Sequence, residues 1–174
     1  AAAEEATAVT PEIFIAAWAL SELAEAATRT GDAERARDAL ARLREQTRDS
    51  DADWALGVHA HSCALVSEGE AAEPLYREAI DRLGRTRLRP HLARAHLLYG
   101  EWLRRERRRV DARAQLRAAH ELFSAIGMEA FAERARGELL ATGETVRKRT
   151  AETRDDLTPQ ERQVARLARD GLSN

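Results

Sequence analysis

Five histidines and one cysteine are the side chains of this sequence best suited to metal binding or nucleophilic chemistry. They are His59, His61, His91, His96, His120 and Cys63. His59 and His61 are two residues apart, which places them on different faces of a helix. His91 and His96 are five apart, which is also a poor spacing for a shared metal ion. Since no cysteine pair can assist them, we predict ordinary helix histidines and no metal site. Cys63 lies in an apolar segment and is predicted to be a small buried residue.

No other catalytic or nucleotide-binding pattern is present. A phosphate loop requires Gly-Lys before Ser or Thr, whereas the one lysine, Lys148, follows Arg147. Carboxylates are numerous but alternate with arginines at helical spacing, as in Glu133 and Arg136, which is typical of a solvated helix face. We therefore predict no catalytic residue, no cofactor bound by these residues and no enzymatic activity.

The arginine run Arg104–Arg109, interrupted only by Glu106, allows two interpretations. It could contact nucleic acid, or it could be the solvated end of a helix, where cations complement the helix dipole. No aromatic side chains are interleaved to stack on bases, so the sequence favours the solvated end.

The composition predicts that helices position all of these side chains. The chain has 174 residues, of which 36 are alanine, and 44% are hydrophobic but only 5% aromatic. Alanine, arginine, glutamate and leucine are strong helix formers, and there is no sustained alternation of polar and apolar residues. The fold class is therefore predicted to be all-α, with a core of small side chains. Asp32 and Asp53 are predicted N-caps, and residues 84–90 are predicted to break the chain between two helices.

The charge and cysteine content limit the partners and the compartment. The net charge is −2, so no overall basic field attracts nucleic acid. A single cysteine fits a reducing cytoplasm. The longest apolar run, Ile13–Leu20, is far short of the ~20 residues of a membrane span. We predict a cytoplasmic protein without membrane association. The first residue is Ala1 and no methionine precedes Met128, so we expect an internal fragment of a longer chain.

The helices form similar pairs. Three sets of predicted core residues share one spacing, in which the second and third residues follow the first by four and seven positions. The sets are Ala36, Leu40 and Leu43; Ala72, Tyr76 and Ala79; and Ala112, Leu116 and Ala119. Twelve residues before each leading alanine is a small residue, namely Ala24, Ala60 or Gly100. Small residues there allow two antiparallel helices to approach closely.

This arrangement resembles the tetratricopeptide (TPR) repeat, most clearly at Leu98–Leu103 followed by Ala112. The spacings are 36 and 40 residues rather than the family's 34, which indicates a TPR-like variant with longer turns. The resemblance implies antiparallel hairpins stacked as a superhelix over residues 1–143, whose concave face binds a small-molecule inducer or a protein partner. The alternative is an ordinary helical bundle. Residues 144–156 lose the helical pattern and are predicted to be a charged linker.

A well-capped helix is predicted to follow the linker. Thr158 fits the N-cap, Pro159 the first helical position, and Glu161 the third, which together form a capping box. Val164 and Leu167 then mark an apolar face.

The segment 157–174 is similar to the opening of a LuxR-type helix-turn-helix domain. The family pattern is Leu-Thr-x-x-Glu, an apolar helix, then Gly-x-Ser-Asn, and the matching positions are Leu157, Thr158, Glu161, Val164, Leu167, Gly171, Ser173 and Asn174. Residues 85–174 resemble the C-terminal part of large, ATP-binding LuxR-family regulators (MalT type) of actinobacteria.

The resemblance implies a piece of a transcriptional regulator whose complete form binds DNA. It covers only the first helix of a truncated helix-turn-helix domain, and the recognition helix that would read bases lies beyond Asn174. The eight matching residues are therefore structural, and no DNA-contacting residue is assigned. ATP is implied only for a module N-terminal to this chain, and oligomerisation is possible. The alternative function is a TPR-type interaction scaffold unrelated to transcription.

Overall fold

The computed structural model describes residues 13–144, and this part of the chain is helical with no strand. The helices are α1 (Ile13–Thr30), α2 (Ala33–Thr47), α3 (Asp53–Val66), α4 (Ala72–Gly84), α5 (Arg89–Arg105), α6 (Arg109–Ala125) and α7 (Glu129–Ala141), with a 3₁₀ turn at Gly69–Ala71. The all-α prediction is confirmed for these residues. The eight matching positions in 157–174 and the linker after Glu144 lie outside the described range.

Helices that follow one another pack as hairpins. α1 packs on α2, α3 on α4, and α5 on α6, while α7 packs on α6. The connection from α1 to α2 is only Gly31 and Asp32, so the chain reverses direction there. The Asp32 carboxylate accepts a hydrogen bond from the Arg35 backbone N–H at 3.0 Å, which confirms the predicted N-cap.

Small residues set the spacing inside the hairpins, as the sequence predicts. A Cβ atom built on Gly100 in α5 would lie 2.6 Å from Leu116 Cγ in α6, so a larger residue has no room there. Ala24 and Ala60, at the corresponding places in the first two hairpins, are also buried. Gly57 makes a similar close approach to Leu83 in the second hairpin, at a position that the sequence pattern did not single out.

Two predicted helix starts are corrected by the structure. Ala52, not Asp53, occupies the N-cap of α3, and no side chain caps that helix end. Asp53 is the first helical residue, and its carboxylate accepts a hydrogen bond from Arg82 Nη1 at 3.1 Å. The break predicted over 84–90 is shorter, because α5 begins at Arg89 and tolerates Pro90 in its first turn.

A residue in the left-handed backbone region follows each odd-numbered helix and also α6, at Gly127. Those after the odd-numbered helices are Gly31, Gly69, Arg107 and Gly143, which are 38, 38 and 36 residues apart. Three of them are glycine, which adopts this conformation without steric cost. Arg107, with φ of 62°, is the exception.

We predict that Arg107→Gly raises the free energy of unfolding by about 1 kcal/mol, because it removes left-handed strain at an exposed helix end. Urea unfolding measures the change. Arg107→Ala is the control, since it removes the same charge but keeps a Cβ. A gain of equal size in both variants would assign the effect to charge and contradict the prediction.

Candidate functional site

Three odd-numbered helices run parallel along a shared face. Trp18 of α1 meets His91 of α5 with ring centroids 5.7 Å apart, and Arg29 further along α1 donates to Glu101 of α5 at 2.8 Å. Residue numbers therefore rise in the same direction on both helices. In the same way, Arg94 of α5 lies over the Phe131 ring of α7, and Arg104 donates to Glu138 of α7 at 2.5 Å. The side chains that these helices direct toward one another form one continuous surface.

A cluster of charged side chains, most of them buried, connects these three helices. We call it the Glu25 cluster, and its members are Glu25 and Arg29 of α1, Arg94 and Glu101 of α5, and Arg134 of α7. Arg134 donates to Glu25 Oε1 at 2.8 Å and to both oxygens of Glu101 at 2.7 and 2.9 Å. Arg94 donates to Glu25 Oε2. The cluster thus connects three helices that are distant in the chain.

The Glu25 carboxylate is ionised although it is buried, and the Glu101 carboxylate is buried beside it. The Glu25 and Glu101 side chains are each 6% exposed. Burial opposes ionisation of Glu25, but the guanidinium groups of Arg94 and Arg134 outweigh it, so the pKa of Glu25 lies below its usual range. Charges buried in this way are stabilising only while every partner remains in place.

Two buried histidines lie behind the cluster. Burial, together with the positive charge of nearby Arg94, lowers the pKa of His61 to about 3 and that of His91 to about 4. His61 is 2% exposed, and neither ring nitrogen has a hydrogen-bond partner among the described residues. The other titratable groups facing His61 are His91, which also lowers its pKa, and Glu25, whose attraction is weaker than these effects. Both imidazoles are therefore neutral in the folded protein.

The depressed pKa of His61 predicts a loss of stability in mild acid. Below pH 6.5 the unfolded chain binds a proton at this residue, whereas the folded chain does not until near pH 3. Stability is therefore complete above about pH 7 and falls with pH, by roughly 1 kcal/mol between pH 7 and pH 6 for this residue. Urea unfolding at the two pH values measures the loss, and His61→Met is expected to reduce it. The same pH dependence in the variant would show that other groups carry it.

A polar groove adjoins the Glu25 cluster at the C-terminal ends of the parallel helices. Its volume is roughly 540 Å³. Its lining includes charged residues of both signs, such as Arg29, Arg104 and Glu68, and the apolar residues Leu65 and Leu98. The groove can therefore accept a polar ligand.

The arginine run is not a continuous solvated helix end. α5 ends at Arg105, and α6 begins at Arg109 after a tight turn. Arg104 pairs with Glu138, and Arg108 pairs with Glu73 at 2.7 Å. These pairs connect α5 and its turn to α7 and α4, so part of the run has a structural role.

The other residues considered for chemistry are dispersed. Cys63 is half-buried rather than buried, and its Sγ lies 3.5 Å from His59 Nε2 one turn earlier. Burial raises the pKa of the Cys63 thiol, which disfavours the reactive thiolate. His96 Nδ1 lies 2.8 Å from Gln115 Oε1, and His120 is half-buried on α6. Within residues 13–144 no group of three or more potential metal ligands comes together.

The Glu25 cluster was not anticipated from the sequence. Acidic residues next to arginines indicate a solvated face, and Glu25 with Arg29 follows that pattern. A usable signal was Glu101, which interrupts the apolar stretch Leu97–Leu103 and is buried with it. The pairing partners on different helices are 33 to 109 residues apart in the chain, beyond the reach of helical periodicity.

Comparison of the chain with protein families, curated proteins and solved structures finds no match. Among the helices of residues 13–144, none combines the length and the apolar character needed to cross a bilayer.

Proposed function

We propose that this chain is the ligand- or partner-sensing region of a DNA-binding transcriptional regulator of the LuxR type. In this proposal residues 1–143 form a TPR-like superhelix, and 157–174 begin the helix-turn-helix domain. The observation that carries the sensing role is the parallel alignment of α1, α5 and α7 along one charged, grooved face.

The packing supports a TPR-like architecture. In a stack of helical hairpins, the first helices of successive hairpins lie side by side and form the concave surface. α1 packs on α3 and α3 on α5, so the first helices of the three hairpins are neighbours. The left-handed residues after the odd-numbered helices recur at nearly constant intervals, which is expected for repeats.

The transcriptional role rests on the sequence of 157–174, where the capping box and the Gly-x-Ser-Asn ending match the LuxR-type pattern. The matched segment corresponds to the first helix of that domain, and the family's base-reading helix is a later one. Sensing and DNA binding are therefore assigned to different parts of the parent protein.

A DNA-retardation experiment tests this division. The 174-residue chain and a form extended by roughly 45 residues of its reading frame, enough for two further helices, are compared on DNA fragments selected with the extended form. We expect sequence-specific retardation by the extended form alone. Specific retardation by residues 1–174 would contradict the division.

The same experiment distinguishes the regulator from the alternative function, a TPR-type interaction scaffold. An extension without a second and third helix, or an extended protein that selects no DNA sequence, would contradict the regulator and favour an interaction scaffold. The groove beside the Glu25 cluster is compatible with both functions, because a regulator and an interaction scaffold each need a binding face.

A further inference from the structure

The links between α7 and the other concave-face helices are made by side chains. Among the described helices, α7 packs directly on α6, where Phe131 stacks on Phe123 with centroids 5.2 Å apart. Arg134 bridges α7 to Glu25 of α1 and Glu101 of α5, and Glu138 pairs with Arg104. The direct contacts of α7 with α1 and α5 are therefore these ion pairs and the contact of Arg94 with the Phe131 ring, in addition to the packing of α7 on α6.

We propose that the Glu25 cluster is a latch that holds α7 over the concave face, and that release of Arg134 allows α7 to move away from α1 and α5 as a unit. The pivot is the turn between α6 and α7, where Gly127 has φ of 74°. The Phe123–Phe131 contact near that turn remains closed during the movement. The open state exposes Glu25, Arg94 and Glu101.

In the closed state some buried nitrogen atoms have no hydrogen-bond partner among the described residues, and the free-energy cost of burying them favours release. Both ring nitrogens of His61 and Nε of Arg94 are buried and have no hydrogen-bond partner within residues 13–144. Burying polar groups without partners is unfavourable, and entry of water on opening would supply those partners. The ion pairs favour the closed state and the unpaired atoms favour the open one, which is the balance that a two-state element requires.

Only the biological role of the latch rests on the proposed function. That role is to control access of a ligand or partner to the concave face. The opening itself is a property of the described helices. It can therefore be measured without ligand or DNA, and its failure would leave the transcriptional proposal untouched.

Hydrogen exchange of the 174-residue chain tests the latch. In Arg134→Gln, we expect amides of α7 to exchange about tenfold faster or more, while those of α3 and α4 keep their native rates. Arg136→Gln is the matched control, because Arg136 pairs with Glu133 one turn away on the same helix. Arg134→Lys, which keeps the charge but loses the paired hydrogen bonds to Glu101, is expected to fall between native and Gln.

A distance measurement gives an independent readout. Spin labels on two exposed positions, Ala26→Cys in α1 and Ala141→Cys at the end of α7 farthest from Gly127, report the separation of the two helices in a Cys63→Ala background. We expect a longer and broader distance distribution in Arg134→Gln than in Arg136→Gln. A uniform rise in exchange over all helices would make the cluster a global stabiliser and overturn the latch. Unchanged exchange and unchanged distances at α7 would overturn it as well.

Discussion

Replacing Glu25 by glutamine is expected to lower the free energy of unfolding by about 3 kcal/mol, measured by urea unfolding at pH 7. The substitution keeps the size of the side chain and removes its charge. It leaves Arg94, whose side chain is 8% exposed, without its buried counter-ion. It also removes the charge with which Arg134 forms an ion pair on α1. Breaking one side of a buried ion pair is costly, because the remaining charge cannot recover its hydration.

Glu22→Gln is the matched control for this prediction. Glu22 lies one turn earlier on α1 and also accepts a hydrogen bond from Arg94, at 3.0 Å. Its side chain is 39% exposed, so its loss is expected to cost less than about 1 kcal/mol. Equal losses in the two variants would show that burial of Glu25 has no energetic consequence.

Gly100→Ala is expected to lower the free energy of unfolding by about 2 kcal/mol, although alanine is the better helix former by about 1 kcal/mol. The new methyl group would lie 2.6 Å from Cγ and 2.8 Å from Cδ2 of Leu116, and 3.3 Å from its backbone nitrogen. Leu116 is fully buried and cannot turn away, so α5 and α6 must separate. Overpacking of this kind outweighs the gain in helix propensity.

Gly137→Ala is expected to have the opposite effect, a rise in the free energy of unfolding. Gly137 is exposed on α7, and a Cβ atom there meets nothing within 4 Å. We expect a gain of about 1 kcal/mol, because only helix propensity changes. Thermal or urea unfolding of both variants checks the sign. Stabilisation by Gly100→Ala would mean that the close contact between α5 and α6 is not required.

The sequence predicts the helices well because their signals are local. The Asp32 cap, the alanine-rich core positions and the small residue at Gly100 each depend on neighbours within a few turns, and the structure confirms them. Errors at helix starts, as at Asp53, arise where an acidic residue suits both the cap and the first turn.

The candidate site could not be predicted in the same way. Glu25, Arg94 and Arg134 become a buried cluster only after three separate helices align, and each residue is typical of a solvated face when taken alone. The backbone of Arg107 is a related case. The residue with left-handed backbone angles after a helix is usually glycine, so a glycine in the sequence indicates it. An arginine at that position, such as Arg107, does not.

The division between apolar packing within hairpins and charged contacts among α1, α5 and α7 affects how this protein can diverge. Substitutions in the alanine and leucine positions disturb hairpins that every part of the stack depends on. An exchange that keeps opposite charges at Glu25 and Arg134 leaves those hairpins intact, whereas loss of one charge leaves the other buried without its partner. The contacts between α1 and α7 can therefore change during evolution only through compensated pairs of substitutions, while the helical hairpins stay constant.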